Sequence, residues 1–316
     1  MRLHIFLILL IISLSACSSQ ESIAPTVIEQ KISDKGVTLS PKSFNAEDFS
    51  SFFVKAKEAG DYVSWSGNWN ELSNKESSGA AVVSSLASNY GYIPVILATV
   101  SDTNEIGSLS EQYKISAVAF AERYKPEYMG FGIEINTLYE ESPEEFEKFV
   151  VLYSEVYTAV KEVSPNTKIF TIYQLEKMKG LHSGLFGGVI STAEWELLGK
   201  FNNDVIAFTT YPGIIYTDPS DIPEDYYSDI ALHTDKNIIF TEVGWTSSSS
   251  IEGWESSEEE QAKFVERFFS LTDDLPVKFV LWSFLYDQDV SEPFTNMGLF
   301  DKEGNAKQAW ETWKLQ

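Results

Sequence analysis

Short apolar runs recur along the chain from Gly36 to the C-terminus, each followed by a polar-rich stretch with helical spacing. The runs begin near Val37, Asp61, Tyr92, Tyr128, Lys168, Val205, Asn237 and Lys278. Most show little alternation, as expected of parallel strands covered on both faces. The stretches between them predict helices over 45–59, 78–89, 110–124, 142–163, 192–201, 222–233, 257–271 and 306–315. The best marked is 142–163, where Ser142 and Glu145 form a capping box and Pro143 fits the first turn. Its stripe of Phe146, Phe149, Val150, Tyr153, Val156, Tyr157 and Val160 faces a sheet. A second capping box, Ser257 with Glu260, opens the segment 257–271. Eight strand-helix units in about 280 residues predict an α/β fold, a single (β/α)8 TIM barrel over residues 36–316. An open doubly wound sheet is disfavoured, because the residues after the first run are SPKSF and not a glycine-rich phosphate loop.

The chain before Gly36 does not share this pattern. Arg2, a short apolar region from Ile5 to Ile12 and the sequence LSAC ending at Cys17 read as an export signal over residues 1–16. LSAC resembles the lipobox of bacterial lipoproteins, which implies lipidation at Cys17 and a lipid-anchored protein of the cell envelope, at an outer membrane or cell surface. Residues 17–35, polar and without periodicity, read as a flexible tether. Cys17 is the only cysteine, so the chain has neither a disulfide framework nor a thiol for catalysis.

Composition narrows the partners. The formal net charge is -24, and removal of residues 1–16 would take away one arginine and no acid. Such a surface repels nucleic acid and argues against a polyanionic substrate. No GxSxG elbow, HExxH helix or P-loop is present. Asp102 to Glu105 and Tyr286 to Asp289 could bind calcium, with solvated loop charge the favoured account, and His182 and His233 are read as surface or structural residues. Neither metal nor cofactor is called for, and a monomer is expected.

Two runs end on carboxylates. NIIFTEVGW delivers Glu242 just before Gly244, and YMGFGIEIN delivers Glu134 and Asn136. A carboxylate at the carboxyl end of a barrel strand lies where this architecture keeps its chemistry. Alternation places Gly130 and Gly132 on the side of Glu134. With these strands numbered four and seven, the sequence resembles the clan A (β/α)8 glycoside hydrolases. TEVGW is similar to the nucleophile strand of the endo-β-1,3-glucanase and β-1,4-galactanase-like branches, and MGLFDKEGNAKQAW, from Met297 to Trp310, resembles a segment many of these enzymes carry after strand eight. The resemblance implies Glu134 as acid/base and Glu242 as nucleophile of a retaining enzyme that cleaves a neutral β-linked polysaccharide or oligosaccharide. It implies further that Trp282 floors the subsite of the cleaved sugar and that Tyr211 hydrogen-bonds Glu242.

Asn136, Trp65 and Tyr173 complete the expected substrate contacts, since sugars stack on aromatic faces and need polar partners. Trp69 and Trp245 also follow strands, and for them and Trp65 core packing is the commoner role. Two departures from the clan stand out. Ile133 occupies the position before the acid/base where most members carry asparagine, and strand two offers no arginine. A non-catalytic glycan-binding lipoprotein on the same barrel therefore stays open as an alternative. A scaffold lipoprotein would show no apolar-lined cleft at the strand ends.

Overall fold

The computed structural model describes residues 34–316 except 74–76, 101, 183–184 and 186–191, together with the side chain of Glu105 as a further exception. The expected export signal, the lipidation site Cys17 and all but the end of the tether lie outside the described residues.

Nine strands form one parallel sheet: β1 (Lys35–Thr38), β2 (Tyr62–Asn68), β3 (Ile93–Thr99), β4 (Tyr128–Phe131), β5 (Lys168–Phe170), β6 (Ile172–Gln174), β7 (Ile206–Thr210), β8 (Ile238–Val243) and β9 (Val277–Trp282). Their order is β5-β4-β3-β2-β1-β9-β8-β7-β6. Since β5 and β6 are consecutive in the chain and separated only by Thr171, the two edges of the sheet meet and the ring closes. These are the eight predicted runs, with the fifth divided in two. At the break, Phe170 and Ile172 both pack inside the ring, whereas the Thr171 amide donates to Asn203 Oδ1 at 2.9 Å.

Burial on both faces explains the runs. Inside, Tyr62, Val95, Leu97, Tyr128, Phe170, Ile172, Phe279 and Leu281 fill the ring, with Tyr62 stacked on Phe279 at 4.3 Å. Outside, the alternate residues Val63, Ile96, Met129, Phe208, Phe240 and Val280 face the helices. The ring is thus a packed core, and function is left to its carboxyl-terminal rim.

Helix α1 (Ala46–Ala59) starts where the Asn45 side chain accepts from the amides of Glu47 and Asp48. α2 (Gly79–Tyr90) is capped by Ser78, and α3 (Ile106–Tyr124) begins four residues earlier than its polar pattern suggested. After β4, the short α4 (Ile135–Glu141) runs into α5 (Pro143–Val163). Pro143 takes the first turn of α5 as expected, but the Ser142 capping box does not form. Ser142 also ends α4, its amide donating to Leu138 O, while Glu145 pairs with Lys148 at 2.7 Å. α6 (Leu175–Met178) follows β6, and α7 (Glu258–Thr272) is capped by Ser257, whose Oγ accepts from the Glu260 amide. α8 (Gln308–Leu315) closes the chain.

Two expected helices are replaced by 3-10 turns. Instead of 192–201 there is Trp195–Lys200, and instead of 222–233 there are Pro219–Asp221 and Ser228–Leu232. Pro219 and Pro223 remove amide donors from the latter stretch. Its adjacent Tyr226 and Tyr227 are both buried, which a regular helix with one apolar stripe does not favour.

Candidate active site

Glu242 owes its orientation to a bulge. On the β7 side Phe208 pairs with Phe240 but the next residue, Thr209, pairs with Glu242. On the β9 side Phe240 pairs with Val280 and Val243 with Trp282. One extra residue is therefore inserted around Thr241. Ile239 faces the interior and Phe240 the helices, so strict alternation would turn Glu242 outward. The bulge turns it back into the mouth of the ring.

Glu134 arrives differently. β4 stops at Phe131, Gly132 takes φ +79°, and Glu134 itself has φ 52° and ψ 46°, a left-handed conformation uncommon for a residue with a side chain. The expectation that Gly132 shares the side of Glu134 fails here. A Cβ on Gly132 would meet Phe149 of α5, in the outer layer, whereas one on Gly130 would meet Phe170, Ile172 and Leu97 inside the ring.

The carboxylates face one cleft, and each accepts one hydrogen bond from the protein among the described residues. Thr209 Oγ1 donates to Glu134 Oε1 at 2.7 Å, and the Tyr211 hydroxyl donates to Glu242 Oε2 at 2.6 Å. Ser283 Oγ donates in turn to the Tyr211 hydroxyl at 3.0 Å. Each carboxylate keeps its other oxygen for a ligand. Burial pushes the Glu242 carboxyl up to about 7, against the hydrogen bond from Tyr211, and the negative charge of Glu134 adds to the rise. Burial also raises Glu134, partly offset by Thr209 and by the positive charge of Lys177. Tyr211, buried beside a carboxylate, is held well above the usual phenol range and stays a donor.

Three expected contacts lie elsewhere. Trp282 is fully buried and points outward, its Nε1 donating to Met297 O at 2.7 Å and its ring against Phe264 and Trp313. Tyr173 likewise sits in the outer core beside Phe201, within reach of Asn203. Asn136 is fully buried and locks the β4 loop to β6, donating to Gln174 O at 3.0 Å and accepting from the Gln174 amide at 2.9 Å. In each strand the neighbouring residue reaches the cleft: Ser283 beside Trp282, and Gln174 beside Tyr173. Counting by twos from Leu281 or Ile172, both inside the ring, would have found them. Trp65 does line the cleft, whereas Trp69 and Trp245 are core residues with their ring N–H groups bonded to Tyr113 O and Ser256 Oγ.

A second layer supports the first. The buried Glu176 accepts from Gln174 Nε2 at 2.6 Å, Thr210 Oγ1 at 2.7 Å, Tyr226 OH at 2.8 Å and the Tyr211 amide at 3.2 Å. It ties the backbone of Tyr211 to the end of β6. No sequence motif announced it.

The cleft has two lobes that meet at Glu242 and Phe284. One, of about 610 Å³, is lined by Thr38, Phe44, Phe49, Trp65, Ser66 and Glu71, and the other, of about 710 Å³, contains Glu134 and Tyr211. His182, read as a surface residue, stands at the second lobe, and His233 stacks on Trp195 at 4.2 Å. Carboxylates of the two acidic loops are engaged by protein: Asp102 accepts from the Asn104 amide, Asp287 from Lys307 Nζ at 2.6 Å, and Asp289 pairs with Lys302. Among the described residues no cluster of three or more His, Cys, Asp or Glu is arranged to hold a metal ion.

No family model matches the chain, and no curated protein matches its sequence. Solved structures do match. The fold is one that glycoside hydrolases use. A family 39 glycoside hydrolase from Bacteroides cellulosilyticus superposes with a TM-score of 0.61 at 17% identity, covering 89% of this chain and 62% of that protein. A β-glucuronidase from Ruminococcus gnavus gives 0.59 at 14% identity, covering 90% of this chain and 49% of the other. A family 2 β-galacturonidase from Eisenbergiella tayi gives 0.59 at 16%, covering 90% and 50%. This chain therefore spans less than two thirds of the length of each of these proteins.

Proposed function

We propose that the protein is a retaining glycoside hydrolase that cleaves a neutral β-linked glycan, with Glu242 as nucleophile and Glu134 as acid/base. The observation that carries this reading is the pair of half-buried carboxylates from the ends of β4 and β8, opening on one cleft, with the Tyr211 phenol donating to Glu242. In the first step Glu134 gives its proton to the departing oxygen while the Glu242 carboxylate attacks the anomeric carbon. In the second Glu134 takes a proton from water, which displaces Glu242 and restores the original configuration. Both carboxyls are raised by burial, and the charge of Glu134 adds to the rise of Glu242, so the pair holds a proton more firmly than surface glutamates do, as a site that needs one acid and one carboxylate requires. Tyr211 favours the charge on Glu242.

A neutral substrate is supported by the smaller lobe. The charged side chains among its described lining residues are Glu71 and Glu242, so a sugar carboxylate there would meet only negative charge. This is an acid-poor sugar's site, unlike what the names of the glucuronidase and galacturonidase imply for those proteins.

The test is the anomer first released from β-glucans, β-galactans, β-mannans and simple β-glycosides, followed by proton NMR. A β-anomer is expected, and release of the α-anomer would overturn the retaining mechanism. With Glu242→Gly, added azide should yield an α-glycosyl azide, and with Glu134→Gly a β-glycosyl azide. One observation favours the non-catalytic alternative: Ile133, directly before Glu134, lines the cleft with an aliphatic chain where most members of the clan that the sequence resembles carry asparagine. Saturable glycan binding with no turnover would select it. We also propose that Cys17 carries a lipid that anchors the protein in the cell envelope. Cys17→Ser should then move the protein from the membrane fraction to the soluble fraction, and an unchanged distribution would refute the anchor.

A further inference from the structure

The two lobes are not equivalent. Glu242 borders both, whereas Glu134 borders only the larger of the two. In the double displacement the sugar to be transferred sits on the nucleophile and the departing group sits beside the acid, so the larger lobe is the one that faces the leaving group. Its wall is unlike a sugar subsite. Ile133, Leu181, Ile214, Val290 and Phe294 line it, with Phe284 at the junction. The aliphatic chains supply neither the flat face that packs on a pyranose nor the hydrogen bonds its hydroxyls need, the rings of Phe294 and Tyr211 are turned on each other edge to face at 5.3 Å, and Thr137 Oγ1 is itself buried, so a hydroxylated ring in this lobe would lose its water with little replacement. Gln174, the amide in this lobe, is already engaged at both ends, giving Nε2 to Glu176 and accepting from the Lys177 amide at Oε1. Lys177 and His182 are drawn to Glu140, at 2.7 Å and 3.6 Å.

We propose that this lobe receives an apolar aglycone, aryl or alkyl, which narrows the β-linked substrate of the proposed function to one whose preferred bond joins a neutral sugar or glycan to an apolar group in place of a second sugar. This rests on the glycosidase reading, since it takes the direction of departure from the roles of Glu134 and Glu242. The less apolar lobe, which carries Trp65, then holds the sugar through Ser66, Trp65 and Ser283, and the more apolar lobe holds what the sugar was attached to. Ile133 becomes part of the specificity: asparagine there would place an amide against the departing group.

The test uses the whole protein and sulfur-linked ligands, which resist hydrolysis. Octyl and methyl β-D-thioglycosides of glucose, galactose and mannose, kept below micelle formation, and a phenyl β-D-thioglycoside are titrated calorimetrically against the corresponding thio-linked disaccharides. For the preferred sugar the octyl ligand should bind at least about tenfold more tightly than the methyl one, a modest share of what burying seven further carbons can supply. The phenyl ligand distinguishes a flat slot from a chain-shaped one. Ile214→Asn should erase the octyl advantage while leaving methyl binding intact. If that variant is poorly folded, Val290→Asp, at a position 44% exposed, serves the same purpose. Equal affinity for octyl and methyl ligands, a disaccharide that outcompetes both, or an octyl advantage that survives in a folded variant would overturn the proposal. Turnover is followed separately on the oxygen-linked glycosides. Hydrolysis without an octyl preference refutes the apolar lobe and keeps the hydrolase. An octyl preference with no hydrolysis of any glycoside refutes the hydrolase and with it the assignment of the lobe to a leaving group.

Discussion

Glu242 holds its proton further up the pH scale than a surface glutamate does, and that has a cost. An ordinary glutamate gives up its proton near 4.5, whereas in the fold the group retains it to about 7. Between those values the folded state binds more protons than the unfolded one, so stability falls as pH rises through this window and the full penalty stands above about 7. The cost is at most about 3 kcal/mol, and less because the carboxyl is partly open to the cleft. Glu242→Gln is therefore expected to raise stability at pH 8 and to change it little at pH 4, as read from denaturant unfolding at the two pH values. Equal effects at both would refute the linkage. Tyr211 acts on the same group in the opposite sense. Its loss in Tyr211→Phe removes a hydrogen bond to a charged acceptor, worth about 1.5–3 kcal/mol, and should lower kcat/KM by roughly ten- to a hundredfold. Glu134, Glu242 and Tyr211 were legible because each ends an apolar run and sits in a motif. Trp282, Tyr173 and Asn136 were misplaced for a physical reason. A strand buried on both faces hides which residue faces the lumen, and the left-handed turn at Glu134 ends the alternation before Asn136 is reached.

At the scale of elements, β8 and the segment after β9 hold the site together. The extra residue at Thr241 was invisible in the sequence, since TEVGW reads equally well as a regular strand end. Gly244 was legible as a turn, but its tightness was not. A Cβ there would come within 2.9 Å of Met297 Sδ, 3.1 Å of the Tyr211 ring and 3.2 Å of Ser283 Oγ. The tail segment reads as a motif, and its structural work is done by Lys307. Its buried ammonium bonds Asp287 at 2.6 Å and Ser247 Oγ at 2.8 Å, joining the loops after β9 and β8. Lys307→Ala would strand Asp287 as a buried, unpaired charge and should destabilise the protein by about 3–5 kcal/mol in denaturant unfolding. The double variant Lys307→Met with Asp287→Leu should recover a large part of that loss, and failure to do so would mean that Lys307 acts through packing and not through the pair. Of the two helices misread, the one after β7 was lost to prolines and adjacent buried tyrosines, which local periodicity does not weigh, and nothing in the residues of 192–201 explains the 3-10 turn after β6.

For the whole molecule, eight runs of continuous apolar residues predicted strands buried on both faces, and the missing glycine-rich loop after the first run favoured the closed barrel over the open doubly wound sheet, which buries its strands in the same way. What they could not reveal was where the ring is weakest. At Thr171 the ladder is interrupted, and closure there depends on a side-chain acceptor, Asn203, and on the carbonyl of Gly132, which accepts from the Ile172 amide at 3.1 Å and from Thr171 Oγ1 at 3.2 Å. Gly132 stands two residues before Glu134. This seam is where local opening should begin on warming, with the amides of Thr171 and Ile172 exchanging hydrogen for deuterium faster than those of Ile96 or Ile239. Such opening would release Glu134, the proposed acid/base, while β8 kept Glu242 in place, so on the proposed mechanism activity should fade some degrees below the cooperative melt. Coincident loss of activity and of global structure would show the seam to be as firm as the rest. A heat-worn population of this protein would then keep its barrel apart from the seam, with one of the two proposed catalytic carboxylates out of place, and could recover on cooling without refolding.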